Sequence, residues 1–276
     1  MKILLTTLSL LLCTAIFAAE QDSTGMEGDH LDLNAVMAIF QESESPEDFE
    51  KKLNTESTNV NNLDLDGDGE VDYIRIVDNG DSTSHVLTLQ VSINENESQD
   101  VAVIELEETS QDVVEIQIVG DEDLYGENYI LLPQSAGKSP LVVNVITWRA
   151  VRFMWARNYK PWVSPWKYRH YPNWYKPWKR KRWSVYHGHV SRYNGHCRRV
   201  YARSFTYAHN HHYHRTHSAS FHNQHHKHKT AAPSKESKSA APNKSATPNQ
   251  KTNVRKRPGR KSTGGGSSSR SGSGSN

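Results

Sequence analysis

The sequence predicts an α+β fold: short N-terminal helices packed on an antiparallel β-meander, followed by a basic aromatic arm and a disordered tail. Three observations carry that prediction. Apolar residues recur at helical spacing between Leu33 and Leu53, short runs of alternating apolar and polar residues fill the stretch from Tyr73 to Val119, and the composition changes abruptly at Trp148. With 276 residues and 35% hydrophobic content, the chain suits one folded domain with arms.

Leu33, Val36, Met37 and Phe40 follow the spacing of one helix face. A second helix opens at Ser45-Pro46-Glu47-Asp48, where Ser45 is the N-cap, Pro46 occupies the first turn and Asp48 closes a capping box. Phe49 and Leu53 give it an apolar face. Strands are expected over residues 73–77, 86–93, 101–106 and 113–119, with further candidates at 129–132 and 141–148. Leu87, Leu89, Val91 and Ile93 alternate with Thr88, Gln90 and Ser92, so one sheet face should be buried and the other solvated. Asp78-Asn79-Gly80-Asp81 suits a hairpin turn. Residues 20–30 are polar and expected to be disordered.

Between helices and sheet lies Asp64-Leu65-Asp66-Gly67-Asp68-Gly69-Glu70-Val71-Asp72. Ca²⁺ takes six to eight oxygen ligands, so a loop that binds it must bring several carboxylates and a carbonyl inward around a tight turn. Asp64, Asp66 and Asp68 fit positions 1, 3 and 5 of such a loop, Glu70 the carbonyl position 7, and Asp72 position 9. Position 12, a bidentate Glu in an EF-hand, is Arg75 here, and the residues around it read as a strand. The loop therefore resembles the DxDGDGxxD calcium loops of FG-GAP (VCBS-type) repeats, in which the ion site feeds a β-strand. That resemblance covers the loop and the following strand only, and it implies a calcium site without implying a propeller. The acidic connections at 94–100 and 120–127 are candidate sources of a further ligand.

The formal net charge of +2 conceals a separation of sign along the chain. Of 31 acidic residues, 30 fall between Glu20 and Glu127; from Arg149 onward Glu236 stands alone against 28 Lys and Arg. Such asymmetry points to a polyanion, a membrane surface or contact between the halves. All seven tryptophans lie between Trp148 and Trp183, interleaved with cations and Pro-Trp pairs. Trp155, Trp162, Trp166, Trp174, Trp178 and Trp183, with Arg180, Lys181 and Arg182, are the candidate surface-binding residues, because indoles beside cations suit lipid headgroups, sugar rings and nucleic-acid bases. Within this arm, residues 149–208, the residues Trp183, Tyr186, Val190, Tyr193, Cys197 and Val200 recur at intervals of three and four, the pattern of a basic amphipathic helix. The histidine-rich tract at 209–228 offers imidazoles for Zn²⁺, Cu²⁺ or Ni²⁺, or a polycation that charges in mild acid.

Residues 1–19 have the layout of a secretory signal: Lys2, an apolar run from Ile3 to Leu12, and Ala18-Ala19. The product is expected to be exported, periplasmic or secreted. Leu12 before Cys13 is a poor fit to a lipidation signal. No later run is long enough to span a bilayer, and removal of the leader would leave Cys197 as a lone thiol. Residues 229–276, rich in Ala, Pro, Ser, Lys and Gly, are expected to stay disordered. No nucleophile elbow, phosphate loop or metal-hydrolase motif is present, so a non-enzymatic role is expected. The whole arrangement resembles uncharacterised exported bacterial proteins, a likeness that implies a location and no activity. The expected functions are calcium-stabilised attachment to anionic lipid headgroups or an envelope polysaccharide, with nucleic acid a further candidate; transition-metal binding through the histidines; and self-association of acidic domain with basic arm.

Overall fold

A computed structural model describes residues 24–134 and 143–224. The expected leader, residues 20–23, Leu141 and Val142, the histidines at 225, 226 and 228, and the expected tail lie outside the described residues.

Two helices come first. In α1 (Leu33–Gln41) the Asp32 carboxylate accepts hydrogen bonds from the Asn34 and Ala35 amides, satisfying donors that the first turn leaves open. In α2 (Pro46–Leu53) Ser45 accepts from the Asp48 amide as expected. The Asp48 carboxylate reaches back to the Glu44 amide, one residue before the cap, in place of a regular capping box.

A six-stranded antiparallel sheet follows, β1 (Ile74–Gly80), β2 (Ser84–Ser92), β3 (Ser98–Ser110), β4 (Val113–Gly120), β5 (Ile130–Pro133) and β6 (Cys197–Val200), in sequential order across the sheet. The register places Ile76 opposite Leu89, and Leu87, Ile104 and Ile118 in a row across three strands. Val101 is an extra residue on β3, so the two strands change pairing between Leu89 and Gln90. The short α3 (Glu122–Tyr125) connects β4 to β5. Ile76, Leu89, Ile104 and Ile118 pack with Met37, Phe40, Phe49 and Leu53 in the main core, so the helices cover this face as the sequence predicts.

Four expectations need correction. Residues 24–30 are ordered against the body: Glu27–His30 form a 3₁₀ turn, and Gly28 packs so closely on Leu124 and Tyr125 that a Cβ there would lie 2.4 Å from the Leu124 carbonyl. Residues 143–148 form no strand; the Val145 amide donates to the Val114 carbonyl and Trp148 then caps α4 (Arg149–Met154). The amphipathic helix is confined to α5 (Trp183–Val190), because the chain turns at Gly195, φ +82°, and then enters β6. Tyr186 and Val190 of the expected stripe are buried, while Cys197 belongs to a strand.

The fourth correction concerns the second sheet face, which is not solvated. Val86, Val103 and Val119 lie under α6 (Tyr207–His212), packed with Ala208 and Tyr213, and Glu105 and Gln117 are fully buried there. Their hydrogen bonds run to this later segment: Gln117 donates to the Phe205 carbonyl at 2.9 Å and accepts from the Ser204 amide at 2.9 Å. Residues beyond 148 therefore complete the domain, contributing its sixth strand and its second cover layer. The reason is charge and polarity: a sheet face carrying buried carboxamides and carboxylates needs donors, and the cationic segment supplies them.

Candidate metal centre

The expected loop forms around two glycines in the left-handed region, Gly67 at φ +75° and Gly69 at φ +83°, where a side chain would strain the backbone. This turn lets the loop's amides face its own carboxylates: Asp68 N donates to Asp66, Gly69 N to Asp64 at 3.1 Å, and Glu70 N to Asp68 at 2.8 Å. Carboxylate oxygens of Asp64, Asp66 and Asp68 come within 4.8 Å of one another, close enough to share one cation. Asp64 is the most informative of the three. Its side chain is 7% exposed, and its Oδ1 is buried without a hydrogen-bond partner. An ionised oxygen removed from water and given no donor is costly unless a cation meets it. The arrangement can hold a metal ion, and an all-carboxylate donor set suits a hard one.

Glu70 and Asp72 stand apart from this cluster. The Glu70 carboxylate pairs with Lys179 at 3.1 Å, which leaves its main-chain carbonyl, the group expected at position 7, outside that contact. Asp72 is buried and fastens the loop's two ends, accepting from the Leu65 amide while its own amide donates to the Leu63 carbonyl. Burial first, and then the charges of Asp66, Asp64 and Asp68, push the Asp72 carboxyl well above the usual carboxylate range. Burial together with Asp68 and Asp64 raises Asp66 as well. The acidic connections do not reach the loop: Glu97 accepts from Ser218 and Ser220, and Asp121 to Asp123 surround Arg215.

The loop is clamped by the segment expected to be a free arm. Val71 N donates to the Trp178 carbonyl, Tyr175 Oη to the Val71 carbonyl at 2.7 Å, and Arg180 N to the Gly69 carbonyl. The Arg180 guanidinium pairs with Glu27 and comes within 4.0 Å of Asp64, and Lys181 bonds Asn59 and Asn62. Trp178 is buried in a cluster with Val71, Tyr73 and Tyr175. The other expected surface indoles are also engaged. Trp155 packs on the His85 ring at 4.9 Å, Trp162 Nε1 donates to Glu50, Trp166 borders the Tyr175 cluster and Trp183 stacks on His187. Among the expected surface-binding indoles Trp174 is the exposed one, at 43%, with Lys51 over its ring; of the expected cations Arg182 is exposed. Burial of large rings is the stronger drive wherever a sheet offers an uncovered apolar rim.

Charges separated in sequence thus meet in space. Arg215 bonds Asp121 at 2.7 Å and 3.0 Å and also reaches Glu122 and Asp123. Because Asp121 is 3% exposed in its side chain and Arg215 32%, Arg215→Ala should destabilise by about 3 kcal/mol in urea denaturation, with Arg215→Lys intermediate since it loses the two-pronged fork. The histidine tract likewise meets carboxylates from distant parts of the sequence: His209 Nδ1 lies 2.7 Å from Glu105, and His212 Nε2 lies 3.3 Å from Asp81.

Two buried polar centres escaped the sequence reading. Glu50 accepts from Tyr73 Oη, Ser164 Oγ, Trp162 Nε1 and the Ile76 amide. Asp78 bonds His85 Nδ1 at 3.0 Å and Tyr159 Oη at 2.6 Å. A signal existed for each: Glu50 falls on the stripe Pro46, Phe49, Glu50, Leu53, and Asp78 continues the inward alternation of Ile74 and Ile76. Among the described residues no helix is long and apolar enough to cross a membrane. Compared with known proteins the chain finds no match, whether to a family model, a curated protein or a solved structure, so the likeness to calcium-loop repeats rests on the loop's own residues.

Proposed function

We propose that the chain is an exported, calcium-stabilised binding module that attaches to an anionic surface of the cell envelope through cations on its later half. The single observation that carries the reading is the buried, unpartnered Asp64 oxygen beside Asp66 and Asp68. Calcium is the ion of choice because oxygen donors on a flexible glycine loop suit its size and coordination number, and because export, read from residues 1–19, would place the loop where calcium is abundant relative to its affinity range. Ion binding would relieve the mutual repulsion that burial intensifies and would lock the loop against residues 175–181.

For attachment, two sets of cations matter. Arg149, Lys179, Arg180, Arg203 and Arg215 pair with acids of the same chain. Arg152, Arg157, Lys160, Lys167, Lys176 and Arg182 are exposed and form no ion pair among the described residues. This second set leaves positive surface for an anionic partner. The histidine reading is less favoured, because His209, His211 and His212 already contact Glu105, Tyr207 and Asp81.

Two measurements on the chain from residue 20 test the reading. Terbium, a calcium mimic, should luminesce by transfer from the aromatic cluster beside the loop and be displaced by calcium. Vesicles rich in phosphatidylglycerol should bind at low ionic strength, release at high salt, and outcompete neutral phosphatidylcholine vesicles. Silence in the first removes the ion; silence in the second, with nucleic acid bound instead, replaces the surface by a different polyanion.

A further inference from the structure

A cleft that uses none of the loop's aspartates has the construction of a ligand site. It lies between the first turn of α2 and residues 153–162, has a volume of about 530 Å³, and is lined by Pro46, Phe153, Tyr159 and Trp162 with Arg157, Asn158 and Lys160 among its polar groups. That volume falls within the range of small-molecule sites.

Its aromatic wall is held from behind. Trp162 Nε1 donates to buried Glu50 at 2.9 Å, and Tyr159 Oη donates to buried Asp78 at 2.6 Å. The backbone is fixed too, since the Asp78 amide donates to the Trp162 carbonyl at 2.7 Å and the Ser164 amide to the Ile76 carbonyl. Phe153 meets Tyr159 edge to face, at 5.6 Å and 74°, and is itself 50% exposed. Rings immobilised by their polar ends line the cleft without a further ordering cost on binding.

The chemistry narrows the occupant. Phe153 and Tyr159 meet edge to face and so do not form a parallel slot that grips a flat base between them, and an acyl chain would offer nothing to Asn158, Lys160 and Arg157 at the exposed rim. A sugar ring answers both, placing C–H bonds on an aromatic face and hydroxyls on the rim. Arg157 and Lys160 are exposed and lack an ion pair among the described residues, against the single acid Glu47 in the lining. We infer that this cleft binds a sugar acid, its ring against Trp162 and Tyr159 and its carboxylate at Lys160 and Arg157. The inference deepens the attachment reading by giving it one specific saccharide subsite.

Isothermal titration of the chain from residue 20 tests it, with a short hyaluronan oligosaccharide, free glucuronate and a neutral chito-oligosaccharide of matched length as probes. The acidic sugars should bind and the neutral one should bind at least about tenfold more weakly. R157A/K160A, which alters exposed residues only, should abolish that preference. F153A should weaken the acidic and neutral sugars alike. Preference for the oligomer over glucuronate supports a polysaccharide source, and equal affinity supports a free sugar acid. Absence of binding, or affinity unchanged in both variants, overturns the subsite. If anionic vesicles still bind in that case, the attachment reading survives its loss; if they do not, both fall.

Discussion

Alanine in place of Glu50 is expected to lower the unfolding free energy by about 4 kcal/mol, measured as a shift in urea midpoint at unchanged slope. The carboxylate is buried where α2, β1 and residues 162–164 converge, and its removal orphans four donors at once: Tyr73 Oη, Ser164 Oγ, Trp162 Nε1 and the Ile76 amide. Each stranded donor costs about 1–3 kcal/mol, partly offset by water entering the void. Glutamine should recover only part of this, because one of its two terminal groups is a donor facing donors. The pH response separates charge from packing. Burial raises the Glu50 carboxyl in spite of its four donors, so the folded state holds the proton to higher pH than the unfolded chain does. Between the ordinary glutamate value and the raised one the native state binds more protons, and stability declines as pH increases through that window. Glu50→Gln should flatten this decline while sitting below the parent protein at neutral pH.

Calcium is expected to raise the unfolding midpoint, adding about 2.7 kcal/mol at a hundredfold excess over Kd. The decisive companion is D64N/D66N/D68N. With three charges removed from one 4.8 Å neighbourhood, this variant should be at least as stable as the parent in chelator, and it should show no response to calcium. D64N alone should abolish most of the response, since it neutralises the carboxylate whose Oδ1 is buried without a partner. A parent melting curve that chelator leaves unmoved would remove the ion from the account, whereas the loop's own amide bonds would persist.

The helices and strands were readable from short-range pattern because each expresses a local rule. Ser45 caps, Pro46 opens a helix, and apolar residues alternate on β2 and β4. The convergence of Asp64, Asp66 and Asp68 was legible for the same reason: two glycines and three carboxylates within six residues leave the backbone few ways to turn. Strand pattern failed at 143–148, where Val145 makes a single backbone contact with β4 and the chain is already approaching α4. It failed again on the second sheet face. Thr88, Gln90, Glu105 and Gln117 look solvated to any rule that sorts residues by polarity, yet they lie beneath or beside a segment that arrives roughly a hundred residues later with donors of its own.

From composition and spacing alone followed the α+β class, the order of β1 through β4, the Ser45 cap and the aspartate loop, since all are settled by contacts within a few residues. Only the tertiary structure decided that the cationic aromatic stretch is the sheet's sixth strand, its second cover and the clamp on the loop. That decision belongs to long-range electrostatics and burial. Once Arg215 can reach Asp121, Arg180 can reach Glu27, and the indoles can reach an open apolar rim, docking onto the body satisfies groups that neither half can satisfy by itself.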